Sequence, residues 1–149
     1  MIYLLISILL DGILSNIIPM HSHIIPLFTV ITLLIIYPKC NKYHMYVLLT
    51  GIIYDLLYSN KPFLYLTIFL LMSILIMHLY KDIPNNYLSL IYRIILIIIF
   101  YTTVSYLISF LFNYNFNINM LYHTIINSIV INIIYGIILY NILNKNYKT

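Results

Sequence analysis

Long apolar runs separated by short polar breaks set the pattern of this chain. Residues 66–77 and 94–100 are almost wholly Ile, Leu, Met and Phe. Alternation of the kind that marks a membrane β-barrel strand is absent from them, so helices are required. Pro, Asn, Lys and Ser cluster at 19–23, 38–42, 59–62, 81–86 and 113–119. Each cluster is a breaker between apolar runs. Five breaks predict six helices, over about 2–18, 24–37, 43–58, 63–80, 88–112 and 118–142. The second is short for a span of about 20 residues and reads as a short, tilted or re-entrant segment. The fifth is long enough to tilt.

Composition decides where such helices live. The chain has 149 residues, is 64% hydrophobic and has a mean hydropathy of +1.04. An ordinary soluble domain is roughly 45–50% apolar. The fold class is therefore all-α membrane, a six-transmembrane-helix bundle in one domain, 1–149, with no linker and no long loop. Residues 2–18 read as a retained first helix, because the basic start and small-residue cleavage site of a signal peptide are missing.

Charge sets orientation. The net charge is +4. The basic residues stand singly at segment ends, which argues for topology and against nucleic-acid binding. Lys39, Lys42, Lys81, Lys145 and Lys148 collect on one side, with Arg93 one to two turns into the fifth helix from that side. Only Lys61 stands opposite. The positive-inside rule then predicts a multi-pass cell-membrane protein with both termini cytoplasmic.

Candidate chemistry is sparse. Cys40 is the only cysteine, which excludes an internal disulfide and any cysteine-based metal cluster. His21 and His23 lack a third ligand nearby, so no metal site is expected. His44 and His78 read as residues of the headgroup boundary, as do many of the tyrosines. Lys81-Asp82 is a possible surface partner for Arg93, worth about 0–1 kcal/mol. With three glycines and short loops, the chain offers no phosphate loop and no catalytic pocket. Neither a catalytic group nor a cofactor is predicted.

Two acids remain inside the apolar runs, Asp11 beside Gly12 and Asp55 four residues after Gly51. A carboxylate at a helix centre costs roughly 2.5–3.5 kcal/mol on the insertion scale, so it faces a bundle interior, a partner or a water path. Three uses stay open for the acids. They are contacts with a partner helix, a proton or cation relay, or local packing with the carboxyl protonated or bonded to Ser15, Asn16 or a backbone group. Gly51 and Asp55 fall on one helical face. A small residue beside a buried acid admits a close neighbour. Asp11 and Gly12, at similar depth, are the expected counterpart.

These residues carry a resemblance. Leu10-Asp11-Gly12 lies in a helix ending at Pro19, Pro26-Leu27-Phe28 opens the next, and Tyr37-Pro38 closes it. Gly51-Ile52-Ile53-Tyr54-Asp55 follows, then a short loop and Phe63-Leu64. Over roughly 8–80 this order resembles the bacterial rod-shape-determining MreD family; the second half is similar in hydropathy and length alone. Lys61-Pro62 stands where that family more often has a glycine turn, and a proline also suits a tight turn. The resemblance implies a non-enzymatic scaffold of lateral peptidoglycan synthesis. Its partners would be an MreC-like protein, MreB filaments, a RodA-type glycosyltransferase and a class B penicillin-binding protein. The family is also similar to the substrate-binding subunits of energy-coupling-factor transporters, which implies the alternative, a vitamin-binding subunit. That alternative needs a polar pocket at the outer face, to which Asn16, Asp55, Ser59 and His123 could contribute.

Overall fold

A computed structural model describes residues 2–18, 23–36, 40–58, 63–82, 86–111 and 118–145. The described residues form an all-helical fold of six helices: α1 (Ile2–Ile17), α2 (Phe28–Ile36), α3 (Tyr43–Tyr58), α4 (Leu64–Asp82), α5 (Tyr87–Leu111) and α6 (Ile118–Lys145). Segments Leu64–Lys81, Tyr87–Ile108 and Asn119–Leu143 are long and apolar enough to cross a membrane, which points to a membrane protein. α1 is a shorter apolar helix.

Apolar side chains fill the interior and also cover much of the outside, unlike a water-soluble bundle. Ile2, Leu5, Leu9 and Ile13 of α1 are exposed, and so are Val130, Ile134, Ile138 and Ile142 of α6. Apolar stripes of this extent have no place against water. Polar side chains are inside as well: Ser7, Asp11, Thr29, Thr32, Thr102, Ser128 and Asn132 are all buried.

α2 is the axis of the molecule. Every residue from Phe28 to Ile35 is buried, because α1, α3, α4 and α6 surround it. A helix apolar on all sides is one that others enclose. At about 1.5 Å per residue its nine residues rise only ~14 Å. The helix expected over 24–37 is thus shorter than its apolar run, and residues 24–27 lie outside it; residue 37 is outside the described residues. The cause is Pro26, which pushes the preceding residue toward extended backbone and has no amide of its own.

An extended segment inside a bundle must have its backbone groups satisfied. α6 does this. Ile25 N–H donates to Ser128 Oγ at 2.9 Å, and Leu27 N–H donates to Asn132 Oδ1 at 2.8 Å. Asn132 Nδ2 donates to Ile25 O at 2.9 Å. Tyr135 completes the α2–α6 contact, stacking on Phe28 at 4.1 Å between centroids and sharing a 2.9 Å hydrogen bond with Thr32 Oγ1.

Arg93, expected as one partner of an exposed surface pair, is instead inside the bundle. It is fully buried in α5, with its guanidinium 4.0 Å from the centroid of the Tyr80 ring of α4. Cation–π contact explains how an arginine is held there. The side chain of Asp82 is outside the described residues.

Candidate functional site

The first turns of α2, α4 and α5 have different caps. For α5 the cap is local: Asn86 Oδ1 accepts Ser89 N–H at 2.8 Å, and Asn86 N–H donates to Ser89 Oγ at 3.0 Å. This is a reciprocal capping box with serine in the third helical position. At α2 and α4 the capping residues are Leu27 and Phe63, whose carbonyls accept Ile31 N–H and Thr67 N–H. Neither side chain can cap. An aspartate on the preceding helix does it for them.

Asp11 of α1 receives the first amides of α2. Phe28 N–H donates to Oδ1 at 2.8 Å and Thr29 N–H to Oδ2 at 3.0 Å. The hydroxyl of Tyr54 on α3 donates to the same Oδ2. Asp55 of α3 receives Tyr65 N–H at 2.8 Å on Oδ1 and Leu66 N–H at 3.1 Å on Oδ2. Both carboxylates therefore sit at the positive end of a helix, where the peptide dipoles favour a negative charge. Substituting an N-cap acceptor costs about 0.5–2 kcal/mol.

The glycines are explained by the same packing. A Cβ on Gly51 would stand 2.8 Å from Leu66 Cα, so Gly51 lets the backbones of α3 and α4 approach beside the Asp55 cap. A Cβ on Gly12 would collide with the Tyr58 ring, whose hydroxyl donates to Ile8 O at 3.0 Å. Gly51 and Asp55 thus do share a face, but that face meets α4. Asp11 and Gly12 meet the adjacent face of α3, which presents Tyr54 and Tyr58. The expected pairing of Gly51–Asp55 with Asp11–Gly12 is replaced by two separate contacts on neighbouring faces of α3. Ser15 and Asn16 do not reach the Asp11 carboxylate. Ser15 Oγ donates to Asp11 O at 2.6 Å and Asn16 Nδ2 to Gly12 O at 3.0 Å.

Beside Asp11 lies a cavity of about 290 Å³. Tyr54, Tyr58, Tyr65, Phe69 and Tyr101 form one wall, and Asp11, Ser15 and 25–27 the other. A second cavity of about 340 Å³ adjoins it through Ser15, Ile25 and Pro26 and reaches His23, Tyr106 and Thr124. Of the residues suggested for an outer pocket, Asn16, Asp55 and His123 line neither cavity; Ser59 is outside the described residues. Sequence reasoning placed the tyrosines at the headgroup boundary. The signal for an aromatic cluster was present in Tyr54 and Tyr58, one turn apart, with Tyr65 and Phe69 repeating that spacing on the next helix. Among the described residues no group of three metal-ligating side chains forms; His21 is outside them.

The chain matches no protein-family model, no curated protein and no solved structure.

Proposed function

We propose that this chain is a six-span, non-enzymatic membrane scaffold of the MreD kind, with both termini cytoplasmic. It would join an MreC-like protein to the peptidoglycan-synthesising enzymes of the lateral wall. The supporting observation is what Asp11 and Asp55 do. Both are occupied by the amides that start the next helix, so the residues that carry the resemblance build the bundle. These acids face backbone amides and, for Asp11, the Tyr54 phenol, contacts that tie one helix to the next. Removing the chain from a rod-shaped host should round the cells, and an MreC-like protein should co-purify with it. Unchanged shape and envelope synthesis after deletion would reject the scaffold reading. For orientation, an impermeant thiol reagent on intact cells should label a cysteine at Asn117 and spare one at Lys145.

A second reading, a small-solute binding subunit, is favoured by one observation, the paired cavities beside Asp11. Loss of uptake of a vitamin-sized solute on deletion, with cell shape intact, would select it.

A further inference from the structure

The cavity beside Asp11 has a specific chemistry. Its aromatic side chains come from three helices: Tyr54 and Tyr58 from α3, Tyr65 and Phe69 from α4, and Tyr101 from α5. The rings of Tyr54, Tyr58, Tyr65 and Phe69 are tilted against one another and do not stack. Tyr54 meets Tyr58 at 4.9 Å and 60°, Tyr65 at 5.3 Å and 60°, and Phe69 at 5.0 Å and 89°. Tilted rings form the sides of a box. The negative faces of such rings attract ammonium groups, most strongly where water is excluded.

The other wall supplies a charge. Asp11 is 4% exposed, and the Phe28 and Thr29 amides and the Tyr54 phenol donate to it. Donors on both oxygens fit the ionised, acceptor-only carboxylate. Those donors are neutral. The α2 terminus adds roughly half a positive charge. Among the described residues lining this cavity there is no Lys, Arg or His. The cavity therefore sets one carboxyl group beside a cluster of aromatic rings, with no basic side chain among its described lining residues.

We propose that this cavity binds the ammonium group of a small organic cation, with Asp11 as counter-charge and Tyr54, Tyr58, Tyr65 and Tyr101 as its aromatic enclosure. At about 290 Å³ it has room beyond a bare ammonium for a short polar or aromatic substituent. The second cavity shares Ser15, Ile25 and Pro26 with it. The inference stands on the cavity and holds for a scaffold or a binding subunit. The ammonium could belong to a free cation or to the headgroup of an ethanolamine lipid, and the two are separable.

The test uses the full chain purified in a non-ionic maltoside detergent. Choline is titrated against its neutral carbon isostere, 3,3-dimethylbutanol, with tyrosine fluorescence and calorimetry as readouts. A short-chain phosphatidylethanolamine and its phosphatidylglycerol counterpart form the second arm. Saturable binding of choline, at least tenfold tighter than the isostere, supports a free cation. Binding of the ethanolamine lipid over the glycerol lipid, with choline weak, supports a headgroup. Equal affinity for the ammonium-bearing and ammonium-free members of both pairs, or no binding in either arm, overturns the proposal. Because Asp11→Asn can disturb the α2 start, the deciding variant is Tyr101→Leu, which leaves the Asp11 hydrogen bonds in place. It should weaken cation binding about three- to thirtyfold. Tyr122→Leu, on an exposed face of α6, should leave binding unchanged. An unchanged affinity in Tyr101→Leu refutes the aromatic enclosure.

Discussion

Tyr54 donates its hydroxyl to the Asp11 oxygen that also receives the Thr29 amide, so one carboxylate ties α1, α2 and α3 together. Tyr54→Phe removes that donor together with the 3.4 Å contact to Thr29 Oγ1, and keeps the ring against Tyr58, Tyr65 and Phe69. Hydrogen bonds to charged groups contribute about 1.5–3 kcal/mol in water-soluble proteins. Polar contacts inside membrane bundles average about 0.6 and reach about 1.7 kcal/mol. A loss of about 1–2 kcal/mol is expected, read as a lower thermal midpoint in detergent. A cycle with Asp11→Asn should show coupling between the two sites. Strictly additive losses would mean the hydroxyl and carboxylate do not interact.

Asp55 caps only α4, and its effect should stay local. Asp55→Leu should insert and fold, because an intramembrane charge is removed, yet leave the amides of Tyr65 and Leu66 without acceptors. Asp55→Asn keeps one acceptor oxygen and should fall between the two. Hydrogen exchange over the first turn of α4 checks this. Faster exchange at 64–67 in the Leu variant, with α1 unaffected, is the expected outcome. Asp11→Leu should be more damaging than Asp55→Leu, because it releases two amides and a phenol instead of two amides.

The two motif glycines should differ in kind. A methyl at Gly51 meets the backbone of Leu66, which cannot turn away, so α3 and α4 must separate. A methyl at Gly12 meets the outer end of the Tyr58 side chain, which is 39% exposed and can swing aside at the cost of its bond to Ile8 O. Overpacking a rigid contact costs about 1–3 kcal/mol. Gly51→Ala should therefore lower the thermal midpoint clearly more than Gly12→Ala. The reverse order would mean that the α3–α4 contact is looser than the backbone distance implies.

What the sequence could reveal was set by the reach of each signal. Apolar runs and breakers act over a few residues, and they gave the six helices and the inward-facing acids. The acids' partners were not legible, because they are backbone amides, which have no sequence identity. Leu27 and Phe63 also conceal their helix starts. A reader seeking Ser, Asp or Asn at the cap finds an apolar residue, since the acceptor is supplied from 16 residues upstream of Leu27 and 8 upstream of Phe63. The cap of α5 is of the opposite kind, because Asn86 and its partner Ser89 are three residues apart in the chain. The extended start of α2 depends on Ser128 and Asn132, more than 100 residues distant, and Pro26 alone could signal it. Arg93 was read from its position in the chain, which cannot show that the Tyr80 ring covers it.

That distant support leads to the most exacting prediction. Asn132 uses both ends of its amide on the segment before α2, accepting from Leu27 N–H and donating to Ile25 O. Asn132→Leu has nearly the same volume and should still pack, but it strands one buried donor and one buried acceptor. Each stranded group costs about 1–3 kcal/mol when no replacement partner is available. Ser128→Ala strands one, the Ile25 amide. The losses should rank Asn132→Leu above Ser128→Ala. Exchange should quicken at the Leu27 amide in Asn132→Leu and at the Ile25 amide in Ser128→Ala, while the amides of Phe28 and Thr29, held by Asp11, stay protected. This separation is the sharp point. α6 holds the extended segment and α1 holds the helix that follows, so loosening one should not unwind the other. If Asn132→Leu deprotects Leu27 together with Phe28 and Thr29, the two supports form a single cooperative unit and the division of labour drawn from the hydrogen bonds is wrong.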